Sequence, residues 1–183
     1  GMTVGVAGLD LDRLTRHLAV VAPGLVGGPL TAELIPGGKS NLSYVVSDSV
    51  SRWVLRRPPL GHVLATAHDM TREHRVLTAL APTPVPVPRT VLLCEEPDVL
   101  GAPFFLMEHV AGTVYRSADQ TRALPAPRCY TIAHDLVDVL ADLHELDPAA
   151  VGLGDFGRPA GFLDRQLRRW KAQLDASRSR PLP

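Results

Sequence analysis

Four prolines at alternate positions, Pro82, Pro84, Pro86 and Pro88, constrain this chain more than any other local feature. Proline locks φ and lacks a backbone N–H, so such a run can be neither helix nor central strand. It reads as an extended, polyproline-like connector that separates the elements on either side. The rest of the sequence is punctuated in the same manner, with 17 Pro and 15 Gly among 183 residues. Short elements joined by turns are therefore expected throughout.

Before the connector, Leu11, Leu14, Leu18 and Val21 recur at helical spacing behind a capping Asp10, and Pro23-Gly24 ends the helix they predict. Leu30, Ala32 and Leu34 then alternate up to a turn at Pro36-Gly37-Gly38, which leads into Tyr44-Val45-Val46. A second turn from Asp48 to Ser51 precedes Trp53-Val54-Leu55-Arg56. Three short strands joined by tight turns read as an antiparallel meander. A helix over 65–80 follows, with Met70, His74, Leu77 and Leu80 along one stripe.

Beyond the connector, Thr90 to Cys94 and Phe104 to Val110 read as two further strands, with Glu95 to Pro103 as the turn between them. After Gly112 the pattern becomes helical, over 130–146 up to the stop at Asp147-Pro148 and again over 161–175. The fold class is α+β: five antiparallel strands with one helix inserted after the third, then helices.

Composition narrows the function. At 45% hydrophobic and 21% charged residues the chain can bury a core, and Lys+Arg 19 against Asp+Glu 19 argues against a nucleic-acid partner. The most apolar early stretch, Leu18 to Leu30, is broken by Pro23, Gly24, Gly27, Gly28 and Pro29, well short of the roughly 20 apolar residues that span a bilayer. No membrane partner and no signal peptide are expected. Cys94 and Cys129 stand alone without metal-ligand spacing, as reduced thiols do in the cytoplasm. Lys39 and Lys171 are the only lysines in an Ala-, Gly-, Pro- and Arg-rich chain, the composition of a high-GC bacterium.

Gly38-Lys39-Ser40 matches the end of a phosphate-binding P-loop, but the position of that motif's first glycine holds Glu33. Strand rather than helix follows Ser40, so the helix N-terminus that a P-loop needs is missing. The same Gly37–Asn41 segment fits either an ordinary hairpin turn or a flexible cover laid over a polyphosphate. Arg56 shares a strand face with Val54, and Glu73 lies in the next helix. A strand cation paired with a helix carboxylate can hold charge for a phosphate, and two unrelated surface residues fit the sequence as well. His134, Asp135, Asp138, Asp142, His144 and Glu145 read as the solvated face of a helix, with Leu136, Val139, Leu140 and Leu143 as its buried stripe. Asp155-Phe156-Gly157 reads as a loop. No metal site is expected from these groupings.

In its order, this set resembles the small lobe of a protein-kinase-like phosphotransferase, and more narrowly the aminoglycoside phosphotransferase family, in the branch related to kinase-like domains attached to acyl-CoA dehydrogenases. The matching segments are Gly37 to Tyr44, Trp53 to Pro59, Arg72 to Leu77, Val87-Pro88, Gly101 to Glu108, Leu143 to Pro148 and Gln166 to Trp170. The resemblance implies ATP-dependent phosphoryl transfer to a hydroxyl of a small molecule, with Mg²⁺ as the family's metal. It places Gly37, Gly38, Lys39, Ser40 and Asn41 over the phosphates and Arg56 where the family's strand-three lysine contacts them, with Glu73 as its partner. Val54 would roof the adenine, and the backbone of Glu108, His109 and Val110 would meet its edge. The expected organisation is a helical segment at 1–28, the small lobe at 29–111 and the start of a helical large lobe at 112–183.

The family's catalytic aspartate comes from a His-Gly-Asp…Asn loop followed by a metal-binding aspartate, and no His-Gly-Asp occurs in these 183 residues. Catalytic and metal-ligating residues are accordingly expected to be absent, as in an N-terminal fragment. The rival expectation is a non-catalytic domain that binds a nucleotide or pairs with a second copy over exposed lobe surface.

Overall fold

The computed structural model describes residues 6–37, 40–61 and 63–177, with the backbone alone for 63–69. Two of the turn residues singled out in the sequence, Gly38 and Lys39, lie outside them. The elements run α1 (Leu11–Val21), β1 (Thr31–Leu34), β2 (Leu42–Ser47), β3 (Arg52–Arg57), α2 (Val63–Leu80), β4 (Thr90–Cys94), α3 (Pro97–Leu100), β5 (Phe104–Glu108), α4 (Ala118–Arg122), α5 (Ala126–Glu145) and α6 (Phe162–Ser177). They form two units, residues 1–145 and 146–183.

In the first unit five antiparallel strands lie in the order β1-β2-β3-β5-β4. The α+β architecture expected from the sequence is the one observed. Asp10 caps α1 by accepting the Arg13 N–H at 3.0 Å, and Leu11, Leu14 and Leu18 line its buried side. They pack into a core with Tyr44, Val46, Trp53, Leu55, Phe104 and Leu106, which come from alternate positions of three adjacent strands. Each large apolar side chain so enclosed contributes about 2 kcal/mol. The proline run from 82 to 88 carries no helix or strand, as its chemistry requires.

Arg57 is buried in the same layer, where the strand period puts it with Trp53 and Leu55. Its Nη1 donates to the carbonyls of Gly8 at 2.6 Å and Leu100 at 2.9 Å, and its Nε to that of Pro58 at 3.1 Å. The Tyr44 hydroxyl donates to the Ala7 carbonyl at 2.7 Å. These bonds tie the chain ahead of α1 to the sheet. A Cβ at Gly8, whose φ is +81°, would come 2.7 Å from Leu60 and 2.9 Å from the Tyr44 hydroxyl, so only glycine passes there.

Two short helices depart from the expected layout. The Glu95–Pro103 turn contains the single-turn α3, and α4 lies in the stretch after Gly112. A second correction concerns α5. Leu136, Leu140 and Leu143, expected as a buried stripe, are 68%, 48% and 40% exposed, while Val139 is half-buried. Among the described residues no strand or helix packs extensively against α5, so its apolar stripe stays largely exposed.

In the second unit, Ala149 N–H donates to Asp147 Oδ1 at 3.0 Å and Leu153 N–H to the Pro148 carbonyl at 2.7 Å, which shapes the loop before α6. Asp155-Phe156-Gly157 is turn and coil, as expected. Among the described residues no helix is long and apolar enough to cross a membrane.

Candidate functional site

The site is set by the side of the sheet opposite α1. Alternation along β3 puts Trp53, Leu55 and Arg57 in the core and turns Val54 and Arg56 the other way, where both are half-buried. Register places Ser43 of β2 and Phe105 of β5 opposite Arg56, and Val45 and Met107 opposite Val54. The helix α2 covers part of this side. Its Met70 is fully buried, and its His74 ring stands edge-on to Phe105 with centroids 6.0 Å apart. Burial holds the His74 imidazole below its ordinary pKa, with the Glu95 charge acting in the opposite direction.

One residue earlier on α2, Glu73 meets Arg56 in a two-point pair. Arg56 Nε donates to Glu73 Oε2, and Nη2 donates to Oε1 at 3.1 Å. Arg56 Nη1 donates to Ser43 Oγ at 3.0 Å, and Asn41 Nδ2 donates to Glu73 Oε1 at 3.1 Å. Four side chains from a turn, two strands and a helix thus form one hydrogen-bonded group. The pairing read as an option in the sequence is the one the fold makes.

Above this group the β1–β2 turn is closed by Ile35 N–H donating to the Ser43 carbonyl at 2.8 Å. Gly37 has φ +96°, a left-handed conformation costly for any side chain. Ser40 is exposed beside the turn, and Asn41 descends from it toward Glu73. A cavity of about 490 Å³ lies here, lined by Ile35, Pro36, Gly37, Asn41, Ser43 and Arg116.

Two of its polar lining side chains, Ser43 and Arg116, had no place among the sequence-derived candidates. Ser43 lay in a matching segment without a role, and its register partner was the available signal. Arg116 reaches the turn from 80 residues away and donates to the Pro36 carbonyl at 2.6 Å, a contact without local signature.

The end of β5 carries the remaining candidates. Glu108 N–H donates to the Arg89 carbonyl at 2.9 Å, and its Oε1 accepts the Arg89 N–H at 2.9 Å. Its backbone donor is therefore engaged within the sheet, while its carbonyl faces no such demand from that pair. His109 is half-buried and Val110 is exposed. A larger groove, about 560 Å³, lies on the other side, between the start of α1 and α3. There Asp10 caps α1 and Arg13 bonds the Asp98 carbonyl, so its polar groups serve local structure. Among the described residues no group of three or more His, Cys, Asp or Glu could hold a metal ion.

Comparison with known proteins adds lineage to this geometry. Residues 31–183 match the model of the phosphotransferase enzyme family. Acyl-CoA dehydrogenase family member 11 of Gallus gallus is 33% identical over 177 residues, covering 95% of this chain and 22% of that protein. Family member 10 of Mus musculus is 34% identical over 178 residues, covering 94% and 16% respectively. A solved structure from Ralstonia eutropha, described as a candidate aminoglycoside phosphotransferase, superposes with a TM-score of 0.73 at 33% identity. It covers 95% of this chain and 50% of its own. The chain thus spans about a fifth of the length of these curated relatives and half that of the solved neighbour.

Proposed function

This chain belongs to the phosphotransferase enzyme family, in keeping with its sequence resemblance, and from that premise we propose that it holds ATP for phosphoryl transfer to a hydroxyl of a small molecule. The observation that carries the reading is the Arg56–Glu73 pair, fixed by Ser43 and Asn41 directly beneath a glycine turn. Phosphoryl transfer asks a protein mainly for alignment and for charge placed against the phosphates. A guanidinium whose orientation is set by a carboxylate and a hydroxyl is aligned before the ligand arrives. Arg56 uses three of its five N–H groups in these bonds and keeps others for an oxygen ligand.

ATP would supply the transferable phosphoryl group, and the chain's own residues would orient it. The Gly37–Asn41 turn would cover the phosphates with backbone N–H groups. Val54, sharing a sheet face with Met107, would roof the adenine, and the carbonyl of Glu108 with the backbone of His109 and Val110 would meet its edge. Among the described residues no three or more His, Cys, Asp or Glu side chains gather into a metal-binding group, and no step is derived through Mg²⁺. No His-Gly-Asp segment occurs in the 183 residues, and the work assigned to them is nucleotide holding rather than base catalysis.

The test is a thermal melt against ATP. Binding at a hundred times Kd stabilises a fold by about 2.7 kcal/mol, which raises Tm by several degrees. Arg56→Ala is expected to reduce that rise, with affinity falling about tenfold. A wild-type melt unmoved at millimolar ATP would overturn the reading.

A second reading is favoured by the exposed apolar side of α5, at Leu136, Leu140 and Leu143. In it, the domain associates with a second copy over that face. Sedimentation decides: a monomer at all concentrations removes it, and a dimer that Leu136→Asp dissociates supports it.

A further inference from the structure

The charges around the turn cavity do not add up as a strand-three cation alone would require. Arg56 and Glu73 are paired at two points, so together they bring no net charge to the cavity. The Asn41 amide is committed to Glu73. Ser43 accepts from Arg56 and keeps its own O–H for an acceptor. Among the described lining residues, the cation without a carboxylate partner is Arg116.

Arg116 is also positioned. Its backbone N–H donates to Gln120 Oε1 at 2.6 Å, and the Ser117 N–H reaches the same oxygen at 3.2 Å, which anchors this stretch at the start of α4. From there the guanidinium lies against the turn. A Cβ built on Gly37 would come 2.0 Å from Arg116 Nη1 and 3.3 Å from its Cζ. Gly37 therefore supplies both its left-handed φ and the space the guanidinium occupies. One nitrogen, Nη1, holds the Pro36 carbonyl, and the Nε and Nη2 edge makes no bond to the described residues.

We propose that Arg116 is the charge-matching contact for the phosphates of a polyphosphate ligand in this cavity, and that its bond to Pro36 ties the glycine turn to that ligand. The proposal rests on the nucleotide reading above and deepens it, dividing the labour between two arginines. Arg56, held by Glu73, orients the ligand, and Arg116 neutralises it. A guanidinium fork can meet two phosphate oxygens at once while Nη1 keeps its turn carbonyl.

Calorimetric titration of wild type, Arg116→Ala and Arg116→Lys with ATP and with adenosine tests this. Arg116→Ala should weaken ATP about tenfold and leave adenosine within about twofold, with Arg116→Lys between. The salt dependence of ATP binding should fall as well, because a charge contact is lost. Gly37→Ala, which puts a methyl on the guanidinium, should reproduce the selective loss. Equal weakening of ATP and adenosine would overturn the proposal in favour of a purely structural turn anchor, and so would unchanged ATP affinity. If wild type binds neither nucleotide nor nucleoside, the nucleotide reading fails by itself, and inorganic tripolyphosphate becomes the probe. Tripolyphosphate bound by wild type and lost in Arg116→Ala upholds the anion contact, whereas none bound by wild type overturns it too.

Discussion

Arg56 and Arg57 are consecutive on one strand and live in different media. The α1 side of the sheet is dry: Tyr44, Trp53, Leu55, Phe104 and Leu106 are all buried there, and Arg57 is enclosed among them. Its bonds go to three backbone carbonyls and to no carboxylate. Burial lowers the pKa of this guanidinium, with the neighbouring Tyr44 acting against it, and raises that of the Tyr44 phenol, with Arg57 acting against it. On the α2 side Arg56 is half-buried, faces a carboxylate and donates to Ser43, which lines an open cavity. A charge satisfied by fixed neutral acceptors without access to solvent can only hold structure together. A charge paired with a side chain at the edge of water can exchange partners with a ligand.

The largest expected effect breaks the dry side. Arg57→Leu removes donors from the Gly8, Pro58 and Leu100 carbonyls at a buried position and should cost about 3 kcal/mol in urea denaturation, while the folded protein keeps its ATP affinity. A cost below about 1 kcal/mol would erase the distinction between the two sides. Glu73→Ala makes the complementary cut. The pair is about one-third exposed, so stability should fall by only about 1 kcal/mol, whereas calorimetry should show ATP affinity reduced about tenfold. Equal destabilisation by the two substitutions would count against the comparison.

The smallest effect is a pH dependence that separates α2 from the far turn. His74 has its folded pKa depressed by burial, so the unfolded chain binds its proton first. Its contribution is complete above the ordinary histidine value near 6.5 and declines as pH falls through that value toward the folded one. Asp48 is depressed too, chiefly by the Gly27 N–H and then by that of Ser51. Its contribution is complete above the ordinary aspartate value and is lost at more acidic pH. Melting temperatures followed from pH 8 to pH 3 should therefore fall in two steps. His74→Phe should remove the upper step alone, and survival of that step would assign it elsewhere.

Much of this was legible in advance, and for local reasons. Alternation in Trp53–Arg57 announces a two-sided strand, and the spacing of Leu11, Leu14 and Leu18 announces a helix with one buried side. The same parity that set Arg56 beside Val54 already put Arg57 with Trp53 and Leu55, so its burial was readable. The helices α3 and α4, with four and five residues, are too short to display a period. The stripe on α5 was read correctly as amphipathic and wrongly as covered, because a period tells which side is apolar and not what packs on it.

The sequence by itself determined the elements, their sidedness and the family likeness of their order, since helix and strand periods act over a few residues. Tertiary structure decided which charges meet. Strand register put Ser43 beside Arg56, the path of α2 brought Glu73 over both, and the route of the chain after β5 returned Arg116 to a turn 80 residues behind it. Such meetings depend on how separate elements pack, and no local pattern in the chain encodes the distance between them.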